Sequence, residues 1–220
     1  MENVAVVLAR ASGWVESNDL NPRGSVFFPD FVKAIIARYG FMKFPEKLEE
    51  FDEGKGVTFV AGKLGHTVIE QVIVYTYGIV FDTRASTDES KRLLEEALQW
   101  ASKEVGLNYN PLMIKRWQYL SQITFNSKVQ LVRAHPSFQK LAETLTKRAA
   151  EVSGQTLDYD LTILALDHDP LLQKHPIGRF SIQRRENTPF SDNKYYSEAP
   201  LPTDVHIKLL EQFEVDLSGK

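Results

Sequence analysis

No cysteine occurs anywhere in the 220-residue chain. That absence removes disulfides, thiolate nucleophiles and cysteine-based zinc sites together, and it suits any reducing compartment. Nor does any apolar run approach the ~18 residues that a membrane-spanning helix needs. The nearest, Val72 to Phe81, is broken by Tyr75-Thr76-Tyr77-Gly78. Neither sign of charge dominates: the formal net charge is −3 and the isoelectric point lies near 6.0. The chain as a whole therefore lacks an electrostatic footprint for nucleic acid or anionic membrane, and polyanion binding would need a local patch. At the N-terminus, Glu2 precedes the short apolar run Val4 to Ala9 with no basic stretch ahead of it, which is not a secretory pattern. These absences describe a soluble, cytoplasmic protein without a membrane partner.

Familiar catalytic signatures are missing as well. The chain has no Walker loop, dinucleotide fingerprint, H-E-x-x-H helix or G-x-S-x-G elbow. Catalytic groups can still assemble from distant positions, so whether the chain is an enzyme stays open. Internal repeats, low-complexity tracts and tether-like linkers are absent too, and one domain spanning residues 1–220 is the simplest organisation.

What is present is a mixture of strand and helix patterns. Val57 to Ala61, Thr67 to Val74 and Ile79 to Thr83 are rich in Val, Ile, Phe and Thr, with Gly-containing links between them. They predict an antiparallel meander over 57–83. Further strands are expected near 4–9, 117–125, 161–166 and 179–184.

About four helices should pack on this sheet. Pro29 and Gly40 bracket one of them. A second begins at Ser86 with Glu89 three residues on, a capping-box spacing, and presents Leu93, Leu94, Leu98 and Ala101 on one side before Gly106. A third, from Pro136 to Gly154, should turn Phe138, Leu141, Ala142, Leu145 and Ala149 inward. The last begins at Thr203. Strands in meanders with interspersed helices define an α+β class with a mainly antiparallel sheet.

The most distinctive stretch runs from Gly178 to Asp204. Beyond its first residues it follows no period, which predicts a long ordered loop at 186–202. Within and beside it lie Arg184, Arg185, Asn187, Lys194, Tyr195 and Tyr196; Lys115, Arg116 and Trp117 repeat the same cation–aromatic mixture. Such residues anchor protein interfaces, and they also stack on bases and pair with phosphates. They equally serve as internal pins, with each arginine paired to a neighbouring carboxylate.

Asp167, Asp169 and His175 make a second cluster. Alternate residues of an extended chain share a face, so the two carboxylates could converge on a divalent metal. The competing reading is turn chemistry ahead of Pro170.

The leading expectation is a non-catalytic interaction or scaffold module, a subunit of a homo-oligomer or a multi-protein complex, with no cofactor. One alternative is a metal-assisted phosphoester hydrolase or nuclease, which requires metal uptake and is tested by calorimetry. The other is a nucleic-acid-binding protein, whose affinity should fall steeply with salt.

Overall fold

A computed structural model describes residues 1–169, 171–172 and 177–219. The strands among them are β1 (Glu2–Trp14), β2 (Val57–Leu64), β3 (Thr67–Tyr75), β4 (Gly78–Thr83), β5 (Arg116–Asn126), β6 (Ile163–Leu166), β7 (Phe180–Arg184) and β8 (Lys194–Ala199). The helices are α1 (Ser17–Leu20), α2 (Phe28–Tyr39), α3 (Thr87–Trp100), α4 (Pro136–Ser153) and α5 (Thr203–Ser218). The hydrogen-bonding order of the strands is β2-β3-β4-β1-β5-β8-β7-β6. The class is α+β with a mainly antiparallel sheet, as the strand and helix patterning implied. No helix among the described residues is long and apolar enough to cross a membrane.

The chain divides into two compact units, and β1 and β5 each lend residues to both. One comprises Val6–Ser121 with Pro200–Thr203. Here the meander forms as its turn residues dictate. Leu64 pairs with Thr67 across a two-residue turn, and Gly65 adopts the positive φ of 58° that such a turn requires. Inward residues Val57, Phe59, Ile69, Val72 and Phe81 meet Val32 and Ile35 of α2 and Leu93, Leu94 and Leu98 of α3 in one core. Tyr39 donates its hydroxyl to Glu96 at 3.0 Å, and the Arg38 guanidinium, ion-paired with the same carboxylate, lies 4.7 Å from the Trp100 ring.

Ser86 caps α3 by accepting from the Glu89 amide at 3.1 Å. The Glu89 carboxylate does not close the expected box. It accepts instead from Thr67 and Arg92, which together hold it below the usual carboxylate range, with Arg92 the stronger influence. At the far end the helix widens into one π-type turn over Ala101–Val105 before Gly106 closes it at a φ of 91°. Thr87 and Thr203 exchange amide-to-hydroxyl hydrogen bonds of 3.1 and 2.8 Å, which fastens the first residue of α5 to that of α3.

The other unit comprises Met1–Ala5, Gln122–Ala199 and Asp204–Lys220. Ile123 and Phe125 of β5, Ile182 of β7, Tyr195 of β8 and Leu210 of α5 are buried here. Ser127 Oγ and the Lys128 amide both donate to Glu214 at 2.7 Å, fixing the end of β5 to α5.

Two expectations are corrected in this unit. Residues 186–202 are not one long loop, because Lys194–Ala199 form β8 and pair with β7. What remains is a hairpin connection in which Asn187 and Asn193 adopt positive φ values of 58° and 44°, conformations that asparagine tolerates. The second correction concerns α4. Its apolar stripe does not turn inward, and no residue of the helix is buried.

Candidate functional site

The cations and phenols around β7 and β8 were open to two readings, an outward contact patch or internal pins. The pairing of Arg184 with Tyr195 across the hairpin turns both side chains toward the covered face. Arg184 is only 7% exposed. It forms an ion pair with Asp160, donates Nη1 to the Phe190 carbonyl at 3.0 Å, and lies 4.5 Å from the Phe190 ring and 5.3 Å from that of Tyr195. Tyr195 accepts from the Leu131 amide at 3.3 Å and packs against Phe125, and burial raises its phenol above the ordinary value. These two residues pin the hairpin to its own unit and are not available to a partner.

Their neighbours on the outer side remain accessible. Arg185, Asn187 and Lys194 are exposed. Tyr196 is half-buried and donates to Glu198 at 3.3 Å; burial first, and then that carboxylate, push its phenol up to about 12. Glu198 also accepts from Gln122 at 2.7 Å.

The Lys115-Arg116-Trp117 group is divided by strand alternation. Lys115 is exposed and sits 3.9 Å from Asp19. The Arg116 guanidinium stacks over Trp14 at 4.4 Å, whose indole N–H donates to Gln118 at 3.0 Å. Trp117 points to the opposite face, where the Lys91 ammonium of α3 lies 5.0 Å from its ring. One face therefore carries Arg116 on Trp14 and the other Trp117 under Lys91, and no single basic–aromatic platform forms.

The two acidic metal candidates each take part in a local turn. Asp167 accepts from the His168 amide at 2.8 Å, and Asp169 accepts from the Leu171 amide at 2.9 Å in an Asx turn. Both carboxylates are exposed. His175 lies outside the described residues. No group of three potential ligands occurs among the described residues.

A serine–histidine pair that the spacing did not reveal lies behind the β7–β8 hairpin. Ser197 Oγ and His206 Nε2 are 2.9 Å apart, and Ser197 donates to the Ser181 carbonyl at 2.8 Å. Both side chains are fully buried, with the His206 ring edge-on to Phe180, and burial lowers the imidazole to about 4. A nucleophile needs contact with its substrate, so this pair is a packing hydrogen bond. In the other unit, an apolar cavity of about 70 Å³ lies among Leu20, Phe31, Ile35, Phe81, Leu94 and Leu98. It falls well below the ~300 Å³ of small-molecule sites. A shallow groove of about 250 Å³ beside Trp14, Tyr75 and Tyr77 also falls short.

The strongest surface feature is apolar. Phe138, Leu141, Leu145 and Val152 recur along α4 at spacings of three, four and seven, yet Leu141 is 65% and Val152 90% exposed. α4 follows directly on the short turn Leu131–Ala134, and the Tyr159 amide donates to Thr146 at 3.0 Å as the chain returns alongside. That return leads into β6, the last strand in the order, where Ile163 is 56% and Leu166 62% exposed. The period of α4 was legible in the sequence, but the exposure of its stripe among the described residues was not. No protein-family model matches the chain, and no curated protein matches it in sequence.

Proposed function

We propose that this chain is a non-catalytic association module that works as a subunit of a homo-oligomer or a multi-protein complex. The observation that carries this reading is helix α4, 18 residues with an apolar stripe and not one buried side chain. Helices draw most of their stability from packing an apolar face, and isolated helices shorter than about 12–15 residues are marginal in water. A stripe such as Phe138, Leu141, Leu145 and Val152 is the usual means of docking a helix into a groove or against another helix. Covering these side chains would contribute several kcal/mol, at roughly 1.5–3 kcal/mol for each large apolar side chain fully buried.

The cation–aromatic residues support this reading less than the α4 stripe does, because Arg184 and Tyr195 are engaged internally. Arg185, Lys194 and Tyr196 remain as accessible contacts.

The test is a Leu141→Glu/Leu145→Glu double variant. Its circular dichroism should match wild type, because neither residue is in a core. Its solution mass by light scattering, or its retention of a co-purified partner, should fall. A double variant that folds and associates like wild type would remove α4 from the account.

A further inference from the structure

The geometry points to a second copy of this chain as the partner, joined through strand β6 to its own symmetry mate in an antiparallel pair centred on Leu164. This inference rests on the association reading and names the partner.

β6 stands at the end of the strand order, so its outward backbone edge has no neighbouring strand among the described residues. Exposed edges are normally protected by a lysine, a proline, a bulge or an inward-pointing charge. Ile163-Leu164-Ala165-Leu166 has none of these, and its pairing with β7 is regular from Ile163–Gln183 to Leu166–Phe180. Among the described residues, its shortness is what protects it.

The register follows from the existing ladder. Thr162 accepts from the Arg184 amide at 2.8 Å, and hydrogen bonding alternates along an antiparallel strand. Thr162, Leu164 and Leu166 therefore turn their backbone groups toward β7, while Ile163 and Ala165 turn theirs outward. Two copies related by a two-fold axis can satisfy those outward groups only if Ile163 or Ala165 meets its own kind or the other. Centring on Leu164 lets Ile163 exchange both hydrogen bonds with Ala165 of the second copy, and the reverse.

Strand overlap selects the same centre. It pairs residues 162–166 with residues 162–166 of the second copy, so both outward residues of β6 find partners within the strand. Centring on Ala165 would set Ile163 opposite Asp167, and centring on Ile163 would set Ala165 opposite Leu161, each outside the strand.

Tyr159, Ile163, Leu166, Leu171 and Leu172 are substantially exposed near this edge and offer apolar area to such a pair. Isologous two-fold pairing is also the commonest way for identical chains to associate.

The absence of cysteine makes the test clean, because one introduced thiol can only link two chains. Leu164→Cys, mildly oxidised, should give a disulfide-linked dimer. Thr162→Cys, whose two copies would stand four residues apart along the pair, should not. Ala165→Pro removes an outward N–H without touching the β7 ladder, so its light-scattering mass should drop from twice the 25.1 kDa chain mass to that mass, with unchanged circular dichroism. Ile163→Lys gives the same readout should the proline variant not fold. A wild-type oligomer whose mass survives Ala165→Pro and Ile163→Lys would overturn this pairing and leave the association reading standing. A wild type that is monomeric at all concentrations, with no Leu164→Cys cross-link, would overturn self-pairing; the α4 reading would then be decided by its own double variant.

Discussion

Arg184 and His206 illustrate how burial converts surface chemistry into structure. A buried guanidinium that loses its partner, or a carboxylate that loses its guanidinium, is left as an uncompensated charge, and breaking such a pair typically costs 3–5 kcal/mol. Arg184→Ala should therefore destabilise by about that amount in urea unfolding. A near-neutral result would mean that Asp160 is solvated without its partner.

For His206 the sign follows from which form is buried. The imidazole is neutral when folded, with its pKa lowered from 6.5 to about 4 by burial. Its contribution to stability is complete above about pH 6.5 and is lost as the pH falls toward 4, because the unfolded chain takes up the proton first. At 1.4 kcal/mol per pH unit the full loss is on the order of 3 kcal/mol. Unfolding free energies of wild type and His206→Asn, compared at pH 7.5 and 4.5, should converge at the lower pH; a constant gap would contradict the assignment. Internal pairing of Arg184 was one of the readings open in the sequence, but its partner and the role of His206 were not legible beforehand. The sequence around Arg184 offers Glu186, Asp192 and Glu198 as partners, yet the true one, Asp160, sits 24 positions away on a segment brought alongside by β6.

At the scale of elements, α3 and α4 have equally clear amphipathic patterns and opposite fates. Period identifies an apolar face but says nothing about what covers it. In α3 the face meets the meander, so Leu98→Ala should destabilise by roughly 2–5 kcal/mol. In α4 the same pattern is exposed, and Leu141→Ala should stay within about 0.5 kcal/mol of wild type for the isolated chain. Chemical denaturation at low protein concentration separates the two. A large loss at Leu141 would mean the stripe is covered within one chain.

Strand β8 escaped the sequence reading for a related reason. Its inward residues are Tyr195, Ser197 and Ala199, so the alternation is one of burial rather than of hydrophobicity. Proline and turn formers on both sides of it reinforced the impression of a loop. By contrast, the meander, the α2 and α3 boundaries and the β7 strand were legible, because Gly65, Pro29, Gly40 and Ser86 act through local backbone chemistry that no tertiary contact overrides.

For the molecule as a whole, the account depends on α4 being covered in the working state. Each unit has its own buried residues. The exposed apolar surface is concentrated in the unit that holds α4 and β6. The most direct measurement is amide hydrogen exchange along residues 138–152 as a function of protein concentration, with and without Leu141→Glu/Leu145→Glu. Protection that grows with wild-type concentration and vanishes in the double variant is the predicted result. Protection that is identical at every concentration and in both proteins would contradict the account, because it would mean that a single chain already shelters its own helix.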